Sequence, residues 1–536
     1  MIPSRPVVLI GFLFVLLAGR VGWCQGVLAP VTDKADTLVV CSAEFKNALA
    51  RWLEYREGQG HRFVICEPPD NAYELATLIK KIAAENKLQT IVFVGDAGHD
   101  VNEIVTDFRP AKVNVLFGSD PEIATDNPFA DLDSDGIPDV ALGRIPANTP
   151  EELLEYTERV IKYENDRSSN EWKRRINVVA GVGGFDPVTD KMIEQTTALM
   201  VNQHLPNGYP FSMTYGSWSS PYCPAPERFG ETALEKFNEG CLFWVYAGHG
   251  SRHRLDSVFT PKGRYEILDN KSISKLAARE GNPIALMLCC YCGAFDDPQD
   301  CLAENMLSQE RGPIAVLCGT RVTMPYAMSQ LSLELMNEYF NGDAETIGEL
   351  FLRSKRRLVE PDEMQKTFEF RKNIEELGRT LSPRPDLLSD ELTEHLLLYH
   401  LLGDPLVRLQ RAAELELQAE IDSLNPQIVH VTGSSNWAGE LILETCYERG
   451  RFRSRPLYRD ENKLQANGNA DFHDDYLKNQ NRVCTAEMHQ INTGPFSMDV
   501  ELPADASGAI TVRAFLQNES GYAVGSCDLK VVRNRR

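Results

Sequence analysis

From residue 37 to about residue 409 one alternation repeats. Short apolar runs fall at 38–41, 63–66, 90–94, 113–117, 176–180, 241–246, 283–289 and 313–317, mostly rich in Val, Ile, Leu and Cys. They lack the in–out alternation of a half-exposed strand, so they predict strands buried on both faces of a sheet. Between them lie stretches of helical spacing at 43–58, 71–86 and 150–165. The last opens with Thr149 as a natural N-cap, Pro150 in the first turn, and Glu151 and Glu152 at the positive helix end. Residues 344–365, 367–381 and 386–402 also read as helical, with Pro383 and Pro385 breaking the pattern and Gly403-Asp404-Pro405 ending it. Strands alternating with helices predict an α/β fold: a mainly parallel sheet with helices on both faces.

Near residue 426 the texture changes. Runs at 427–431, 439–445, 497–502 and 509–515 carry β-branched residues, and Asn467-Gly468 and Ser507-Gly508 supply turns. They predict a β-sandwich over 426–536, after a helical or extended linker at 410–425.

The N-terminus has Arg5 followed by an uncharged run at 6–19. A membrane-spanning helix needs about 20 apolar residues. The shorter run predicts a cleaved signal peptide at 1–24 and a secreted or periplasmic protein. A lipid anchor on Cys24 and an uncleaved anchor are the alternatives. No second long apolar run follows, so no membrane span is expected after cleavage.

Composition narrows the reading only slightly. The chain has 536 residues, 43% hydrophobic and 25% charged, which is ordinary for globular proteins and excludes a disordered tail or a collagen. A formal charge of −22 repels phosphate backbones, so nucleic acid is not an expected partner. Of 13 cysteines, Cys41, Cys66, Cys241, Cys289 and Cys318 sit inside apolar runs as small hydrophobes. Cys446, Cys484 and Cys527 lie in the β-rich region, where one pair is the candidate disulfide.

Two apolar runs end in reactive residues. One leads into Gly248-His249-Gly250-Ser251, the other into Cys290-Tyr291-Cys292-Gly293. In open α/β sheets ligands bind beyond the carboxyl ends of strands, so neighbouring strands would bring His249 and Cys290 into one crevice. There an imidazole can take the thiol proton and stabilise the thiolate. The backbone N–H groups of Gly250 and Cys290 are candidate oxyanion donors. Gly248, Gly250 and Gly293 would let a substrate backbone come close. Adjacent strand residues face opposite ways, so Cys289 and Cys290 cannot both face His249. For Cys292 packing or a redox partnership are the open readings.

These motifs, in this order, resemble the gingipain family of cysteine peptidases, within the wider caspase- and legumain-like group. Further pieces agree in order: Gln59-Gly60, Val94-Gly95-Asp96-Ala97, Gly143-Arg144, Thr346-Ile-Gly348-Glu349 and Leu402-Gly403-Asp404-Pro405. The resemblance covers about 37–409. It implies a caspase-like peptidase domain followed by an immunoglobulin-like sandwich, and a cysteine endopeptidase acting on peptide or protein substrates. By it His249 is the general base and Cys290 the nucleophile of a thioester acyl-enzyme, with no cofactor required. Cys292 stands where a small polar residue is expected. The first strand follows the signal too soon for an N-terminal pro-segment. Arginine-specific relatives place an acidic residue in the substrate pocket, and the matching residue here is Asp126, which would favour Arg or Lys at the cut.

Asp131, Asp133, Asp135 and Asp139, with Gly136 among them, resemble the start of a calcium loop. Leu142 stands where an EF-hand needs Glu, so a structural Ca2+ loop of another type is one reading and a solvated acidic turn the other. Arg144 is the expected ion partner of this cluster. Two other functions fit the same chain: a catalytically silent extracellular binding protein, and a transpeptidase using the same dyad. Oligomeric state is left open.

Overall fold

A computed structural model of the chain describes residues 34–98, 102–167, 171–184, 187–465, 468–504 and 506–532, together with the backbone of strand Gly22–Cys24. The expected signal peptide otherwise lies outside the described residues.

The main sheet has eleven strands: β1 (Gly22–Cys24), β2 (Thr37–Cys41), β3 (Phe63–Cys66), β4 (Thr90–Val94), β5 (Ala141–Ile145), β6 (Ile176–Ala180), β7 (Phe211–Tyr215), β8 (Phe243–Ala247), β9 (Ile284–Leu288), β10 (Ala315–Gly319) and β11 (Tyr399–Leu402). Their order is β1-β3-β2-β4-β5-β11-β10-β9-β8-β6-β7. Every neighbouring pair is parallel except β10–β11. The sheet is therefore two parallel halves running in opposite directions. All residues of β2, β3, β4, β10 and β11 are buried, as continuous apolar runs require. Amphipathic helices such as Ala72–Glu85, Pro150–Glu164 and Ile347–Val359 cover the sheet, each capped at its start by the side chain of Asn71, Thr149 or Thr346.

Two expectations fail locally. The run at 113–117 is a turn of 3-10 helix, Asn114–Phe117, rather than a strand. The Glu394 carboxylate takes the amides of Lys112, Val113 and Asn114 at 2.7, 2.8 and 2.7 Å, which occupies donors a ladder would need. The helix expected at 386–402 stops at Leu398, and the chain continues as β11.

The C-terminal part has a five-stranded and a three-stranded sheet around a shared apolar core that includes Val431, Leu443, Val500 and Val512. Strands Ala413–Glu414 and Glu416–Ile421 belong to these sheets, so the segment expected as a linker is already part of the sandwich. Cys446, Cys484 and Cys527 are not joined in a disulfide, so the expected bridge is not formed.

Candidate active site

Four adjacent strands of the second half, β10, β9, β8 and β6, end at the same edge of the sheet. In the β8–β9 register Ala247 pairs with Leu288, so Gly248-His249 and Cys289-Cys290 leave the sheet side by side. Sequence reasoning named this His and this Cys, and topology brings them to neighbouring strand ends.

The His249 Nε2 lies 2.6 Å from the carbonyl oxygen of Gly183, in the loop after β6. A carbonyl only accepts, so Nε2 carries the proton and Nδ1 is the basic nitrogen. The His249 carbonyl accepts from the Tyr246 hydroxyl at 2.7 Å and the Asp256 amide at 3.1 Å. Gly248 has φ 156°, and a Cβ there would stand 2.8 Å from the Tyr246 hydroxyl and 3.0 Å from the Gly181 nitrogen. That crowding forces glycine at 248.

Of the three clustered cysteines, Cys290 is half-buried while Cys289 and Cys292 are buried. Its Sγ accepts from the Thr323 amide at 3.4 Å and lies 3.7 Å from the Thr323 hydroxyl, in the loop after β10. Burial raises the Cys290 thiol above its ordinary range, against the opposing pull of Thr323. The resting sulfur is thus a thiol that needs a base.

The glycines flanking His249 and Cys290, expected to let a substrate backbone approach, are packed against protein. A Cβ on Gly250 would lie 2.7 Å from the Cys292 Sγ and 2.8 Å from the Cys290 carbonyl oxygen, and one on Gly293 would lie 2.3 Å from the Cys318 Sγ. Gly250 also pairs with Leu255 in a short two-stranded ribbon.

Around Cys290 stand residues that the sequence did not single out. Tyr291 has φ 59°, a left-handed conformation that costs a non-glycine residue about 1–3 kcal/mol. Its hydroxyl accepts from the Asp120 amide at 3.0 Å, and the Arg252 guanidinium lies 4.6 Å from its ring centre. Arg252 pairs with Asp120 at 2.7 Å and Asp297 at 2.9 Å, and Arg321 pairs with Asp296 at 2.6 Å. Sequence distance hides such partners. The glycine-rich stretch 181–184, Gly-Val-Gly-Gly, after an apolar strand was the one available signal, for Gly183.

Asp126 is elsewhere and is already occupied. It is 1% exposed; its two oxygens receive Arg144 Nε and an Arg144 terminal nitrogen at 2.8 Å each, and Thr106 donates at 2.9 Å. These three donors already engage both oxygens inside the protein, which does not favour the expected part in substrate choice. The expected link from Arg144 to the acidic loop is corrected. In that loop Asp131, Asp133 and Asp139 each bring an oxygen within 4.8 Å of the others. Asp135 turns away onto the Ile137 amide at 2.8 Å, and the cation beside Asp139 is Arg356 at 3.5 Å. An all-oxygen set of this kind suits a hard cation such as Ca2+.

The model of peptidase family C25 matches residues 31–410. The chain belongs to peptidase family C25. The matched span contains the whole main sheet from β2 to β11 and both His249 and Cys290. Among individual C25 relatives, Lys-gingipain HG66 of Porphyromonas gingivalis is 24% identical over 292 residues, 52% of this chain and 15% of that protein. Lys-gingipain W83 of the same organism matches to the same extent. The chain therefore spans a small part of the curated relatives it matches. In fold it is similar to the Arg specific cysteine proteinase gingipain R, with a TM-score of 0.52 at 14% identity over 93% of this chain and 98% of that one. A complex of RgpB pro- and mature domains gives the same TM-score at 15% identity, over 93% of this chain and 100% of that one. The α/β fold expected from the alternating pattern is the fold of this C25 chain. No helix among the described residues is long and apolar enough to cross a membrane.

Proposed function

We propose that this chain is a cysteine endopeptidase that hydrolyses peptide bonds through Cys290 and His249. One observation carries the reading: adjacent parallel strands, in the register Ala247 to Leu288, end in an imidazole with Nδ1 as its basic nitrogen and in the only half-buried thiol of its cluster.

In this reading Nδ1 of His249 removes the Cys290 proton, and the thiolate attacks the scissile carbonyl. Negative charge develops on the carbonyl oxygen, and the amides of Gly250 and Cys290 are the donors assigned to it. The imidazolium protonates the leaving amine, leaving a thioester. Water, deprotonated by the same imidazole, then attacks the thioester and restores the thiol. No step calls for a cofactor. The apolar run at 6–19 supports export behind a signal peptide, to the medium or the periplasm. The acidic loop supports a Ca2+ held by Asp131, Asp133 and Asp139 in a structural role, more than 100 positions before the dyad.

The test is a peptide-library cleavage assay on the purified chain, Cys290→Ala and His249→Ala, with an added amine acceptor in one arm. Hydrolysis products from the native chain alone, with both variants folded and silent, are expected. Full activity in Cys290→Ala would sink the assignment, and amine-capped products would make the enzyme a transpeptidase.

A further inference from the structure

Two thiols beneath the site have no part in the reaction proposed above. The Cys289 Sγ donates to the Cys292 Sγ at 3.0 Å, and both residues are 0% exposed. The bend that brings them together contains Cys290 and Tyr291, the residue with φ 59°. A Cβ on Gly250 would lie 3.0 Å from the Cys289 Sγ and 2.7 Å from the Cys292 Sγ. The Cys292 Sγ also contacts the Ser251 carbonyl oxygen at 3.6 Å. The sulfur pair therefore touches both loops that carry the dyad: it flanks Cys290 in sequence and lies under the residue after His249.

We propose that Cys289 and Cys292 are a redox-active dithiol, a modification site that a hydroperoxide converts to a disulfide and so slows the peptidase reversibly. The chemistry balances. One thiol sulfur attacks a peroxide oxygen, the O–O bond breaks, and with hydrogen peroxide a sulfenic acid and a water form. The second sulfur attacks the sulfenic sulfur, the S–S bond forms, and a second water leaves. Two thiols lose two electrons and two protons, and one peroxide is reduced to two waters. Burial selects a water-sized oxidant over a bulky disulfide. Burial also raises the Cys289 thiol well above its ordinary range, so the reaction needs excess peroxide and proceeds slowly.

The mechanical consequence follows from the distances. A disulfide brings the sulfurs to about 2.05 Å. They start at 3.0 Å, so the two side chains and the backbone between them, which includes Cys290, take up the difference. A displacement of about 1 Å at a reacting atom can cost about 10²-fold in rate. This consequence rests on Cys290 being the nucleophile; formation of the bond does not.

The experiment uses the full chain. It is treated with hydrogen peroxide, quenched, denatured, labelled with light iodoacetamide, reduced, and labelled again with heavy reagent. Trypsin releases 280–311, which holds Cys289, Cys290, Cys292 and Cys301. Heavy label on Cys289 and Cys292 and light label on Cys290 and Cys301 are expected. Peptidase activity should fall at least ten-fold on the same time course and return with dithiothreitol. In Cys289→Ser, Cys292 should take only light label. Heavy label on Cys290, or light label on all four residues, overturns the proposal. The labelling decides the disulfide even if the chain cleaves no peptide, so failure of the peptidase reading is seen separately.

Discussion

A methyl group at position 250 would meet sulfur on one side and the Cys290 carbonyl on the other, with 2.7 and 2.8 Å available where real Cβ contacts need well over 3 Å. Gly250→Ala should therefore lower kcat/KM by about 10²-fold while the fold survives, read from kinetics beside a thermal melt. Asp126 is bound to Arg144 with both partners 1% exposed. Asp126→Ala should destabilise by about 3–5 kcal/mol in denaturant unfolding, because it leaves a buried guanidinium uncompensated. It should not change which residue is preferred at the cut. Lys355 is buried, donates to the Asn127 side chain at 3.2 Å, and is pushed down to about 7 by desolvation. An unfolded lysine titrates near 10.4, so between about 7 and 10 the unfolded chain holds the extra proton and stability rises with pH. Below about 7 both states are protonated and the full penalty applies. Lys355→Met should thus raise the melting temperature at pH 7 and flatten its rise toward pH 10. At this scale His249 and Cys290 were legible because glycines and long apolar runs flank them. Thr323 and Tyr291 were not, because what marks them is a neighbour or a backbone angle, and neither has a sequence signal.

Strand β7 is the edge of the main sheet, and an edge presents unpaired amides and carbonyls. The C-terminal part covers it. Gln480, the last residue of helix Ala470–Gln480, accepts from the Met213 amide at 3.2 Å and donates to the Met213 carbonyl at 2.6 Å. Tyr476 bonds Thr214 at 2.7 Å, and Arg174 reaches across to Glu444 at 3.1 Å. A chain truncated after residue 409 should expose this edge and aggregate, as light scattering would show, whereas a truncated chain that stays monomeric and active would refute the capping role. Most buried strands were legible as elements, since continuous apolar runs of four to seven residues leave few alternatives. Strand β11 was not: Leu396–Leu402 is apolar apart from His400, and periodicity alone cannot separate a buried helix end from a buried strand. Helix Ala470–Gln480 escaped because its buried face includes the polar His473, Asp475 and Asn479, and strand Val483–Ile491 because nearly all its positions are half-exposed or exposed.

Over the whole molecule the plan is a sheet of two opposed parallel halves. The strands β10, β9, β8 and β6 end along one edge of it, and the sandwich closes the far side of the sheet at β7. The acidic loop sits on the other half, near Arg356, so a cation there would act on stability rather than on chemistry. Chelation with EGTA should lower the melting temperature, and added Ca2+ should restore it; an unchanged melt would mean the carboxylates serve only the turn. The proposed chemistry turns on the pairing of one thiol with one imidazole across neighbouring strands. Its most direct test is alkylation of the native chain with a small excess of iodoacetamide, with the labelled residue identified by mass spectrometry. Cys290 should react first, and at least ten-fold more slowly in His249→Ala. First labelling at Cys289 or Cys292, or a rate at Cys290 indifferent to His249, would contradict the pairing.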